Sequence, residues 1–267
     1  MKFSVSNIAW HPKDDTEVIK ILKKNKISYI DIAPSLFQNL ETNYSAFEFI
    51  KLRNFWKSES INFHSMQSLL YGLGNYSIFI NSEHKILIER LKKTFEIAEI
   101  LGVKNLIFGS PKNRIFVHKK REENLKIANE FFNDVSNVMA DFNCVLSIEP
   151  NPKLYGSDFI VNSMECINFI KDINKKNLKV HIDIGSAKIN NENLDNIFRN
   201  NSHLINSIHI SEPNLIKIYD KNHHIISSES IKKYSKNNIL SIEIANKNIK
   251  NLQELSSNIS FIKEIYN

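Results

Sequence analysis

Four short stretches of this chain end in residues that ligate metal ions: Ser147-Ile148-Glu149, His181-Ile182-Asp183, Ser207-Ile208-His209 and Ser241-Ile242-Glu243. Each sets a polar residue, then Ile, then a carboxylate or an imidazole. Three carboxylates and one imidazole make a donor set suited to one divalent ion, Mn, Mg, Co or Zn. Such an ion works as a Lewis acid on a carbonyl or phosphoryl oxygen. One of these residues alone would mean little, because a Glu after a strand is usually solvated and a His beside an apolar run usually belongs to the core. Four of them in matching phase point to a shared site.

The spacing says what must position them. The four ligand candidates lie 34, 26 and 34 residues apart, which matches a strand, a helix and their loops at roughly 30 residues per unit. Side chains on a strand alternate between its faces. If Ile148, Ile182, Ile208 and Ile242 face a helix layer, then Glu149, Asp183, His209 and Glu243 face inward. Ser147, His181, Ser207 and Ser241 then form a polar layer beneath them, costly to bury unless hydrogen-bonded and placed to orient the ligands.

Along the whole chain the patterning predicts strands over 2–10, 27–32, 61–66, 105–108, 144–149, 178–184, 204–210 and 239–244. Helices are predicted over 14–25, 45–56, 83–101, 122–142, 163–173, 190–198, 227–234 and 251–265. Strict strand–helix alternation argues for a parallel sheet. Eight units in 267 residues favour an α/β fold of the (β/α)8 TIM-barrel type, one domain over 1–267, with its site on the loops after the strands.

Composition bounds the function classes. With 42% hydrophobic and 24% charged residues the chain reads as ordinary globular protein. No apolar run approaches the roughly 20 residues that span a bilayer. No signal segment is visible at the start, and the two cysteines, Cys144 and Cys166, sit in apolar patterns, so a cytoplasmic location is expected. The net charge of +6 comes from lysines spread along the helices, which is a solvated-surface habit more than a nucleic-acid footprint.

On the residues of strands five to eight, the sequence resembles the xylose isomerase-like barrel superfamily of sugar and sugar-phosphate isomerases and epimerases, which also contains the type IV endonucleases. The resemblance implies one divalent ion held by Glu149, Asp183, His209 and Glu243, with Glu149 and Glu243 as the acid/base pair in proton transfer through an enediolate. The runs Gly109-Ser110-Pro111-Lys112-Asn113-Arg114 and Glu149-Pro150-Asn151-Pro152 look like members tied to polysaccharide pathways. Two positions depart from the pattern. Many members carry His three residues after the strand-six Asp, where this chain has Ser186; many carry Glu six residues after the strand-five Glu, where it has Tyr155.

Further candidates come from the loops. Lys112 and Arg114, after strand four, would hold a phosphate or carboxylate, or else form a solvated basic loop. Gln67, after strand three, would bind a sugar hydroxyl. His223 and His224, in the loop after strand seven, would offer one substrate contact, with His224 the expected one. Trp10, with His11 at the end of strand one, would wall the sugar pocket; His64 reads as packing at the core or rim. The expected partner is a small sugar or sugar phosphate, with no nucleic acid or membrane; a homo-oligomer fits this class. Three rivals stand beside this reading. A non-catalytic sugar-binding barrel and a metal-dependent lyase or dehydratase keep the site. A type IV endonuclease would need three metals and more histidines than these strand ends supply.

Overall fold

In the computed structural model, which describes residues 1–38 and 44–267, eight strands close into a parallel barrel in chain order. The strands are β1 (Lys2–Ser6), β2 (Tyr29–Ile32), β3 (Asn62–Met66), β4 (Asn105–Phe108), β5 (Val145–Ile148), β6 (Leu178–Asp183), β7 (Ile205–Ile210) and β8 (Ile239–Ile242). Among the described residues the helices are α1 (Asp15–Lys24), α2 (Ala46–Ser58), α3 (Asn81–Leu101), α4 (Arg121–Met139), α5 (Ser163–Ile173), α6 (Ile184–Ile189), α7 (Leu194–Asn201), α8 (Lys221–Tyr234) and α9 (Leu252–Tyr266). None is long and apolar enough to cross a membrane. This is the (β/α)8 barrel that the alternation implies, with α6 as an added turn.

Apolar burial organises it. Ile148, Ile182, Ile208 and Ile242 are fully buried, as residues between a barrel wall and its helices should be. Closure comes from β1 pairing with β8, Ser4 opposite Ser241, and β7 pairing with β8, His209 opposite Ser241. Asp183 lies opposite His209 across β6 and β7. Neighbouring strands therefore bring the inward residues to one level at the mouth.

Three departures from the expected elements bear on the site. First, β1 stops at Ser6, and a 3-10 turn over Asn7–Ala9 follows. That turn carries Trp10 out of the barrel's line. Its indole N–H donates to Asp15 Oδ1 at 2.7 Å, and its ring lies 6.3 Å from that of Trp56. Trp10 is thus a buried anchor between the barrel and α1, and the expectation that it walls the sugar pocket is corrected. Second, α6 starts directly after β6 because Asp183 caps it, accepting the Ser186 N–H at 2.6 Å, a role that suits Asp at a helix start. Third, α8 begins six residues before the predicted helix, at Lys221, capped by Asp220. His223 and His224 therefore stand in its first turn, where the sequence suggests a loop.

Candidate metal centre

Asp183 ends β6, His209 is the last inward residue of β7, and Glu243 follows β8 directly. One ligand atom from each of these three buried residues lies within 4.8 Å of the others. The His209 imidazole is 3.0 Å from Glu243 Oε2 through Nδ1 and 3.4 Å from Asp31 Oδ2 through Nε2.

Each carboxylate is held from behind. Ser211 donates its hydroxyl to Asp183 Oδ2, and is itself fixed by the Gly185 N–H at 3.0 Å. Gln67 Nε2 donates to Glu243 Oε1 at 2.6 Å, while its own Oε1 accepts from the Ser6 hydroxyl at 2.9 Å. Gln67 lines the cavity, and its amide orients Glu243. Beneath the mouth, the expected polar layer is present and buried: His181 Nδ1 shares a hydrogen bond of 2.7 Å with Ser207, and Ser147 donates to Asn105 at 2.7 Å. Burial holds His181 well below its ordinary pKa, so it acts there as a neutral imidazole.

The electrostatics show what the cluster lacks. Burial pushes Glu149 up to about 8, reinforced by Glu243 and Asp183. Burial also raises Asp183, again with Glu243 beside it. Burial disfavours the His209 imidazolium, yet Glu243 and Asp31 hold its pKa well above the usual range. Burial likewise opposes the Asp31 carboxylate, but His209 outweighs it and pulls the group far down. Several carboxylates thus crowd around one imidazolium. A divalent cation fits this donor set, neutralising the acids and taking the position from which His209 must release its proton to ligate.

Glu149, the fourth candidate, stands outside the triad. It follows β5, lines the same cavity of about 200 Å³, and lies against Gly109, where an added Cβ would meet Glu149 Oε2 at 2.6 Å. A side chain there would push the Glu149 carboxylate out of this position. Tyr155 and Ser186 also line the cavity, so the two positions that depart from the family pattern do face it.

Two expectations for the loops are corrected. Arg114 is fully buried and donates to the Glu149 carbonyl at 2.9 Å and to Asn151 Oδ1. It braces the backbone that carries Glu149 and is turned away from any solvent phosphate. His224 is buried against α9, with Nδ1 2.8 Å from the Tyr266 hydroxyl and Nε2 3.4 Å from Glu212; it does not line the cavity. Lys112 is exposed as a loop cation should be, but lines a second, adjoining cavity. His64 packs edge-on to Tyr29 at 6.3 Å, in line with the packing role read for it.

Sequence reading passes over Asp31 and Ser211. Asp31 carried a signal: Tyr29-Ile30-Asp31 repeats the alternation of the other four stretches at the end of β2. Ser211 shares the inward phase of His209, two residues on.

No family model matches the chain, and no curated protein matches it. Solved structures do. A 3-keto-D-glucoside 4-epimerase, YcjR, from E. coli superposes with a TM-score of 0.80 at 15% identity, covering 99% of both chains. D-psicose 3-epimerase with D-tagatose, from Clostridium cellulolyticum H10, gives 0.79 at 14% identity, covering 100% of this chain and 98% of the other. The IolI protein with a zinc atom gives 0.75 at 15% identity, covering 100% and 98%. What the chain shares with them is the (β/α)8 barrel over its whole length. At these identities the likeness is one of fold, and the chemistry must be argued from the cavity itself.

Proposed function

We propose that this protein is a divalent-metal-dependent sugar epimerase or isomerase of the enediolate type. The carrying observation is the buried Asp183–His209–Glu243 triad facing Glu149 across one small cavity. Asp183, His209 and Glu243 would hold the ion, and Glu149 would complete the set by turning from Gly109. A bound ion supplies Lewis-acid polarisation of a hydroxy-carbonyl, at several kcal/mol of charge stabilisation.

The protein's own groups do the rest. Glu149 removes the proton from the carbon beside the carbonyl, and the C–H electron pair becomes the double bond of the enediolate. Without an ion, burial and the neighbouring acids raise its pKa to about 8; a cation among them would pull it back down and leave the carboxylate free to act as a base. Glu243, oriented by Gln67, returns a proton from the other side. Return to the same carbon on the opposite face inverts it; return to the neighbouring carbon moves the carbonyl. The Ser186 hydroxyl is buried without a partner, which suits it to a sugar hydroxyl. The neighbours' sugars, D-tagatose among them, make ketoses the first substrates to try.

The test is incubation of metal-loaded protein with a ketose panel in deuterated solvent. Deuterium at the carbon beside the carbonyl, with the epimer or aldose appearing, is the expected result. Tight sugar binding with no exchange in any metal-loaded sample would overturn the reading in favour of a binding protein.

A further inference from the structure

The cavity over the triad has a larger neighbour. At about 200 Å³ it is smaller than the roughly 300–1,000 Å³ typical of small-molecule sites. Ser68, Ser110 and Pro111 line it and also line a second cavity of about 570 Å³, a trough between the loops after β3 and β4. The two adjoin, with those three residues as the sill between them.

The trough is a built feature. Asn113 Nδ2 donates to the Leu73 and Tyr76 carbonyls at 2.7 and 2.8 Å, and the Ile78 N–H donates to the Asn113 carbonyl at 3.1 Å, tying one wall to the other. Arg90 donates to the Tyr71 carbonyl at 2.8 Å and fixes the loop that presents that ring. Both serines of the sill hold left-handed backbone, Ser68 at φ +59° and Ser110 at φ +49°. Non-glycine residues persist there only when the surroundings impose it, and such positions cluster at ligand sites.

Its chemistry is that of a carbohydrate subsite. Tyr71 offers a ring that is 69% exposed, and Asn75 and the two serines offer amide and hydroxyl groups. Lys112 is the one lysine or arginine among the described residues lining either cavity. It is exposed, and its stem lies against Gly74. One solvated lysine is a weak phosphate site, since phosphate recognition favours several converging donors. An aromatic face with amides and hydroxyls suits a neutral sugar ring.

We propose that the substrate has two units: a reactive sugar over the triad and a second, uncharged sugar in the trough, stacked on Tyr71. The proposal rests on the sugar-epimerase reading of the site and names its substrate class as a glycoside or disaccharide instead of a free or phosphorylated monosaccharide.

Calorimetric titration of the metal-loaded protein tests it. The probes are D-fructose, D-fructose 6-phosphate, and three ketose disaccharides joined at different positions: turanose, lactulose and isomaltulose. At least one disaccharide should bind about tenfold more tightly than D-fructose, and Tyr71→Ala should bring that preference close to one. Tyr71 is exposed, and an unchanged melting temperature verifies that the variant is folded. Three results overturn the proposal: no disaccharide binds better than D-fructose; the preference survives Tyr71→Ala; or the 6-phosphate binds best and loses its advantage in Lys112→Ala. Solvent deuterium exchange, read on the same samples, judges the epimerase reading separately. Disaccharide preference without exchange sinks only the chemistry; exchange without preference sinks only the second subsite.

Discussion

Two buried acid–imidazole clusters lie side by side in this barrel, and they have opposite characters. Around His209 the carboxylates of Asp31, Asp183, Glu149 and Glu243 outnumber the positive charge, and a cavity opens onto the last three. Around His224 the books balance. Glu212, fully buried, pairs with Lys188 at 2.8 Å and accepts the Tyr219 and Asp220 N–H groups at 3.3 and 3.0 Å, while Lys188 reaches Asp220 at 2.9 Å. Burial then drops His224 to about 4, leaving it neutral against Tyr266. A cluster whose charges are satisfied internally is a structural tie between α6, α8 and α9. One with a surplus of acid and an opening has room for a cation and a substrate.

The comparison breaks most sharply in activity. Glu149→Gln or Glu243→Gln should lower turnover by about 10²–10⁴-fold with the far-ultraviolet spectrum unchanged; near-normal turnover in either would remove it from the acid/base pair. Next, Glu212→Ala should cost about 2 kcal/mol in urea unfolding, since it leaves two N–H groups without their acceptor and Lys188 with Asp220 alone. Metal content should stay at the normal level, and a fall in it would mean that the two clusters are one. Third, Ser211→Ala should weaken metal binding by roughly 10–100-fold in competition with a chelator, because a residue behind a ligand orients it. Binding at full strength would show that Asp183 needs no such support.

The smallest effect is on stability against pH, and here the clusters pull in opposite directions. In metal-free protein, Glu149 keeps its proton to about 8, against 4.5 when unfolded. Between those values the folded state carries the extra proton, so stability falls as pH rises. His224 titrates near 4 folded and 6.5 unfolded. In that window the unfolded state carries the extra proton, so stability falls as pH drops. Chelated samples melted across pH 4–8 should show the alkaline slope reduced in Glu149→Gln and the acid slope reduced in His224→Gln. Exchange of those assignments between the variants would contradict the distinction.

What the chain declares on its own is the barrel and the phase of its strands. Period-two alternation is local: Ser147-Ile148-Glu149 and its three counterparts state which side chain meets the helices and which meets the axis, whatever the neighbours are. The same rule would have yielded Asp31. Tertiary structure decided the rest. Gln67 reaches Glu243 across 176 residues of sequence, and Asp31 meets His209 only because β1 closes onto β8. Trp10, Arg114 and His224 have the residue types of a site, but turns and helix starts direct each one elsewhere. Trp10 follows the turn after Ser6, Arg114 is drawn under Glu149 by buried acceptors, and His224 is carried into the helix layer by the Asp220 cap. A side chain's type is written in the sequence, but in loops its direction is set by long-range partners that no local period reveals.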